Sequence, residues 1–213
     1  KENQDILLRS RNAVLEQEPD APATYRESYP ADVVIEPQIV MLGDSITEGF
    51  KLNKFFSGQP FVNRGIGADH TAWVGKGVYY RLTPDVLAQN PAAIFILIGI
   101  NDLASNMSME NYLINYRNIL TTLKKAYPQT QIIVQSLLPT RGKYTHLNSV
   151  VLTANSQLKN LAAEFKVKYL DLHSLYTNAA GELQEEVTKD GLHLKEPAYE
   201  VWKLAILKVI AGK

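Results

Sequence analysis

The chain has 213 residues, the size of one ordinary α/β domain or at most two small ones, and 46% of them are hydrophobic. Its 22 Lys and Arg balance 22 Asp and Glu, which argues against a nucleic-acid binder, since that function needs a net basic face. The absence of cysteine excludes disulfides, thiolate metal sites and a cysteine nucleophile, and no apolar run reaches the roughly 20 residues that span a bilayer.

Residues 1–18 carry a loose helical pattern, with Ile6, Leu7, Val14 and Leu15 at three- to four-residue steps. Pro19, Pro22 and Pro30 then break the chain, so residues 1–30 read as a helical arm and connector ahead of a single domain over 31–213; a disordered tail is the alternative. The chain begins at Lys1, not Met, which slightly favours a mature periplasmic or secreted protein over a cytoplasmic one. From residue 38 short apolar runs alternate with helical stretches. Gln38–Leu42, a run opening at Phe61–Val62, Ala93–Ile98, Gln131–Leu137 and Val167–Leu170 read as strands. The third is apolar throughout, as a strand covered on both faces requires.

Residues 109–126 place Tyr112, Leu113, Tyr116, Ile119, Leu120 and Leu123 on one helix face, with Ser108 as N-cap. A second helix over 148–165 is expected to bury Val151, Leu152, Leu158, Leu161 and Phe165. A third over 197–210, with Pro197 in its first turn, is expected to bury Val201, Leu204, Ala205 and Ile210. This alternation implies a mostly parallel sheet with helices on both faces. Ligands of such sheets bind beyond the carboxyl ends of the strands, so the residues after each strand decide the function.

Strand one runs into Gly43-Asp44-Ser45-Ile46-Thr47-Glu48-Gly49. A serine where a strand turns into a helix presents its hydroxyl at the sheet edge and its N–H toward a developing oxyanion; taken alone it reads equally as an N-cap. Strand two runs into Asn63-Arg64-Gly65-Ile66-Gly67-Ala68-Asp69, where the glycines permit close backbone approach or merely a tight turn. Strand three runs into Gly99-Ile100-Asn101-Asp102. Asn101 could hold a negative oxygen without taking its proton, or cap a turn. Near the C-terminus, Asp190-Gly191-Leu192-His193 puts a carboxylate three residues before a histidine. That spacing lets Asp190 bond one ring nitrogen and leave the other free to accept a proton; a solvated loop histidine is the alternative.

Four such segments at one sheet edge, each suited to a different task, identify a pattern. IVMLGDSITEG resembles the first block of the SGNH (GDSL-like) hydrolases, VNRGIGADHT the second, IGIND the third and DGLHL the fifth, in order across residues 39–194. The pattern is most similar to the platelet-activating-factor acetylhydrolase-like and carbohydrate-esterase-like branches. The resemblance implies a three-layer α/β/α sandwich on a five-stranded, mostly parallel, flavodoxin-like sheet. It implies Ser45 as nucleophile, His193 as its base and Asp190 as the group that orients the imidazole. The oxyanion hole would combine the N–H of Ser45, the N–H of residue 68 and the Asn101 amide. Relatives often carry a glycine where this chain has Ala68; a backbone donor tolerates alanine if its φ/ψ is allowed, and Gly67 is the fallback donor.

The implied activity is hydrolysis of short-chain esters, acetyl above all, most simply on a carbohydrate. A lysophospholipase or thioesterase is the second expectation, and a non-catalytic binding module on the same fold the third. Competing signatures are missing: there is no Gly-x-Ser-x-Gly elbow and no P-loop, and His70, His146, His173 and His193 show no metal-ligand spacing. No metal or organic cofactor is called for. The expected partner is a small-molecule or glycan ester, with no nucleic acid and no membrane span; the oligomeric state is left open. Asp44, Arg64 and Arg141 are candidate pocket residues, with His70 and Trp73 beside them. Turn, surface or packing roles are the alternative for each, and capping or turn roles are the simpler ones for Asp44, Asp69 and Asp102.

Overall fold

Five apolar segments pair into one parallel sheet in a computed structural model that describes residues 38–82 and 91–212. They are Ile39–Gly43 (β1), Phe61–Gly65 (β2), Ala93–Leu97 (β3), Gln131–Gln135 (β4) and Lys168–Leu170 (β5), in the order β2-β1-β3-β4-β5. Every neighbouring pair is parallel. This is the flavodoxin-like order, whose crevice opens where the chain reverses direction between β1 and β3. All five residues of β3 are buried, as its unbroken apolar run requires. The arm expected over residues 1–30, and the boundary after it, lie outside the described residues.

The helices are Ser45–Glu48 (α1), Leu52–Phe55 (α2), Ile100–Ala104 (α3), Met109–Ala126 (α4), Asn148–Phe165 (α5), His173–Tyr176 (α6) and Tyr199–Ile210 (α7). Ser108 caps α4 by accepting the Asn111 N–H, and Tyr112, Tyr116, Ile119, Leu120 and Leu123 face inward as their spacing predicts. Two faces differ from expectation. In α5, Leu152 is exposed while Asn155 points in: the Asn155 amide accepts from Leu137 N at 2.8 Å and donates to Leu137 O at 2.9 Å, which fixes the helix rotation after β4. In α7 the inward residues are Tyr199, Trp202, Ala205 and Ile206, whereas Val201, Leu204 and Ile210 are exposed. Pro197 sits in a 3-10 turn, Glu196–Ala198, so the α-helix begins only at Tyr199.

Trp202 explains the rotation of α7. It is fully buried, donates its indole N–H to Gln135 Oε1 at 2.6 Å and packs against Phe50 at 5.1 Å between centroids. Tyr199 stacks on Phe50 at 4.8 Å and donates its hydroxyl to Ile46 O at 2.7 Å. Such aromatic packing with satisfied polar tips fixes orientation as well as burial. It braces α1 from below.

α1 also lies unusually close to the sheet. A Cβ at Gly43 would stand 2.2 Å from Thr47 Oγ1 and 2.3 Å from Leu97 O. Only glycine permits the strand to turn so tightly into Ser45.

Candidate active site

Ser45, Asn101, Asp190 and His193 converge at the carboxyl edge of the sheet. Asp44 caps α1 by accepting the Ile46 N–H at 2.9 Å, which leaves Ser45 as the first helical residue, half-buried. The N–H groups of a first turn have no intrahelical partner. Ser45 Oγ lies 2.9 Å from His193 Nε2, and His193 Nδ1 lies 2.6 Å from Asp190 Oδ2. The other Asp190 oxygen accepts from the backbone N–H of Leu192 at 2.9 Å and of His193 at 2.8 Å. Burial by itself would raise the Asp190 carboxyl; the His193 ring and the two backbone donors outweigh it and hold it down at about 2. An anionic Asp190 fixes the proton on Nδ1 and leaves Nε2 as the acceptor facing the serine.

The loop carrying this pair is held from behind. Thr188 Oγ1 donates to His193 O at 2.7 Å and accepts from Gly191 N at 3.0 Å. Gly191 has φ +86, and a Cβ there would lie 2.2 Å from Arg141 O. Arg141 N returns a bond to Gly191 O at 2.8 Å. A side chain at 191 would therefore displace the loop from the segment after β4.

On the other side of Ser45, residues 66–69 form a turn closed by Asp69 N to Ile66 O at 3.2 Å. Ala68 has φ +59, a left-handed conformation that costs a non-glycine residue about 1–2 kcal/mol. Gly67 and Ala68 are exposed, and neither N–H makes a hydrogen bond among the described residues. Asn101 Nδ2 donates one hydrogen to Asp69 O at 2.8 Å. The amide has a second N–H, free to point at a substrate oxygen.

A buried polar layer beneath this corner was not legible in the sequence. Arg81, almost fully buried, donates to Asp69 Oδ2 at 2.7 Å, Arg64 O at 2.8 Å and Gly43 O at 2.9 Å. Burial raises the Asp69 carboxyl, against the pull of the Arg81 guanidinium. Asp102 is buried and accepts the Thr71 N–H and hydroxyl; burial raises its carboxyl too. The one available sequence signal for Arg81 is an arginine set among the apolar residues of GVYYRL.

The candidate pocket residues are placed differently from one another. Asp44 is fully buried with Oδ2 unpartnered, and burial pushes its carboxyl up to about 7. Arg64 is buried in β2 and offers its carbonyl to Arg81. Arg141 pairs with Glu182 at 3.4 Å and Glu185 at 2.7 Å, beside a groove of about 460 Å³ on one side of the Asp190–His193 loop. A cleft of about 500 Å³ is lined by Lys189, Asp190, His193, Leu194 and Pro197 among others. Among the described residues no three His, Asp or Glu side chains converge as metal ligands, and no helix is long and apolar enough to cross a membrane.

The GDSL-like Lipase/Acylhydrolase family model matches residues 41–201, a span that holds every residue of this site. The chain belongs to the GDSL-like lipase/acylhydrolase family. It is 28% identical to a Streptococcus pneumonia protein of solved structure, described provisionally as a platelet activating factor, with a TM-score of 0.78 over 93% of this chain and 95% of that one. It is 22% identical over 209 residues to the isoamyl acetate-hydrolyzing esterase of Saccharomyces cerevisiae, covering 81% of this chain and 85% of the relative. It is 24% identical over 177 residues, 83% of this chain, to the N-acylneuraminate cytidylyltransferase of Streptococcus agalactiae serotype III (strain NEM316), but spans only 40% of that relative's length.

Two stability predictions follow for this GDSL-like chain. Arg81→Leu leaves Asp69 buried without its cation, which should cost about 3–5 kcal/mol in urea unfolding, part of it recovered by adding Asp69→Leu. An Arg81→Leu loss under about 1 kcal/mol would show that the pair holds nothing together. The second concerns Asp44, whose folded-state value of about 7 lies above the ordinary 3.8. Between these pH values the folded state binds the extra proton, so stability falls as pH rises from about 4 to about 7, and the full penalty stands above that. Asp44→Asn does not titrate. Wild-type stability relative to the variant should therefore decline by a few kcal/mol across this window; a pH-independent difference would contradict the assignment.

Proposed function

We propose that this protein hydrolyses short-chain esters, principally acetyl, carried on a carbohydrate. The observation that carries the reading is the continuous chain Ser45 Oγ–His193 Nε2 at 2.9 Å and His193 Nδ1–Asp190 at 2.6 Å. A non-catalytic binding module has no need of a hydroxyl, a base and an orienting carboxylate in sequence.

In the proposed reaction, Ser45 Oγ attacks the ester carbonyl carbon while His193 Nε2 takes its proton, and Asp190 stabilises the imidazolium. The tetrahedral oxyanion is received by the N–H groups of Ser45 and Ala68 and the second N–H of Asn101. Gly67 remains the fallback donor. Collapse of the intermediate breaks the bond to the alcohol, which leaves with the proton from His193. Water then attacks the acyl carbon while His193 takes its proton, and collapse breaks the bond to Ser45 Oγ, which recovers the proton from His193 as the acyl group departs as the acid.

The shortness of the acyl group is supported by a sequence with no long apolar insertion to build a lid or tunnel, and by the yeast relative's name, which specifies an acetate ester. The carbohydrate acceptor is supported by the Streptococcus agalactiae relative, named for an acylated sugar acid. The Streptococcus pneumonia relative favours a second reading, an acetyl ester on a phospholipid.

Hydrolysis of p-nitrophenyl acetate, butyrate and octanoate tests the proposal. Wild-type rates should fall with acyl length and vanish in Ser45→Ala. Asn101→Ala should lose about 10²–10³ in kcat, the usual worth of one oxyanion donor. Rates rising toward octanoate would favour lipid substrates, and wild-type turnover no higher than that of Ser45→Ala would remove the esterase reading.

A further inference from the structure

We infer that the hairpin tip at Trp73 and Val74 is a stacking platform for a sugar ring in the ester's acceptor, which makes Trp73 a specificity-determining residue. The inference rests on the esterase reading for the reaction, whereas binding of the ring at Trp73 does not depend on it.

Trp73 and Lys76 exchange backbone hydrogen bonds, Trp73 N to Lys76 O at 2.8 Å and Lys76 N to Trp73 O at 2.7 Å. Val74 and Gly75 form the two-residue turn between them, with φ +35 and φ +73. Turns of this kind are ordinarily filled by Asn-Gly or Gly-Gly. A β-branched residue at positive φ is an outlier. Val74 is 74% exposed, so packing within the chain does not offset its strain. Strain that the rest of the fold does not require concentrates at ligand-contacting sites. Beside it, Trp73 is 40% exposed, a large aromatic surface left in water.

The tip stands on a rigid base. The Trp73 ring lies 5.0 Å from the His70 ring, and His70 Nε2 lies 3.2 Å from Ser105 Oγ at the end of α3. Val78 N bonds His70 O at 2.9 Å, and Tyr79 N bonds Thr71 O at 3.0 Å. Asn115 on α4 bonds Thr71 Oγ1 at 3.1 Å and Ala72 O at 3.2 Å. The same segment carries Ala68 and the Asp69 carbonyl that holds Asn101. The platform therefore follows the proposed oxyanion corner closely in the chain and shares the elements that position it.

The chemistry fits a pyranose. An indole face takes the apolar C–H face of a sugar ring, while the His70 imidazole and Ser105 hydroxyl beside it can donate to the oxygens that the ring carries. Two apolar side chains, with the Lys76 cation two residues beyond Val74, are too small a patch for a membrane surface or a long acyl chain. A ring held here would orient one acetylated hydroxyl toward Ser45 and so contribute through positioning.

The chain has two tryptophans, and Trp202 is fully buried and bonded to Gln135. An emission change caused by a surface ligand therefore comes from Trp73, and the Trp202 signal reports an intact fold. Titration of the Ser45→Ala protein with peracetylated xylobiose should shift or quench emission saturably, and Trp73→Phe should abolish the signal. In kinetics, the ratio of kcat/KM for peracetylated xylobiose to that for ethyl acetate, which has no ring, should fall about tenfold in Trp73→Ala, the order expected for one lost aromatic contact, and chiefly through KM. Trp73→Phe should restore most of that ratio. An unchanged ratio, or emission that the saccharide leaves untouched, would overturn the inference. So would a Trp73→Ala loss that follows acyl length in ethyl esters, because the platform would then serve the acyl chain. A Ser45→Ala protein as active as the wild type would sink the esterase reading, while the fluorescence titration would still decide the platform.

Discussion

The guanidinium of Arg81 lies under the carboxyl ends of β1 and β2, bonded at once to Gly43 O, Arg64 O and the Asp69 carboxylate. Strand-end carbonyls beneath a tightly seated helix have no water to bond, and each buried acceptor left alone would cost about 1–3 kcal/mol. Arg81 satisfies two of them and fixes Asp69 in the same act. Asp69 in turn places its carbonyl against Asn101. One buried cation thus ties the turn into α1, the end of β2 and the Ala68 corner into a single unit. A lysine could not replace it, since it lacks the planar fork that reaches three acceptors.

The other half of the site is assembled from the far end of the chain. Phe50, Tyr199 and Trp202 join α7 to the underside of α1, and the Gly191–Arg141 contact seats the Asp190–His193 loop on the segment after β4. Ser45 and His193 meet because both halves are anchored at the carboxyl edge of one parallel sheet, after β1 and after β4, on either side of β3. Rigid elements hold the serine. A short loop stapled by Thr188 holds His193. This arrangement suits a reaction in which the imidazole exchanges a proton with the serine and then with the alcohol.

The parallel sheet and the convergence of Ser45, Asn101, Asp190 and His193 were legible because each motif joins a residue type to a strand end, and strand ends of a parallel sheet share one edge; the flavodoxin-like order came only with the family resemblance. The helix faces were less legible. Leu152 and Leu204 look as apolar as their neighbours, and only the Asn155 clamp on Leu137 and the Trp202 bond to Gln135 decide which side turns inward. Asp44 and Arg64 carry charges that suggest a pocket, yet both side chains are buried. Arg81 was missed because its one signal, a lone arginine among apolar residues, has no spacing that points to a partner. The left-handed backbone at Ala68 depends on the turn around it, not on the residue type.

The central claim is that Ser45 is a nucleophile activated by His193, and a serine-directed fluorophosphonate followed by intact mass and peptide mapping tests it most directly. The account predicts one adduct per chain on the peptide containing Ser45, formed far more slowly in His193→Ala. An adduct on another residue, or labelling of Ser45 at the same rate without His193, would contradict it.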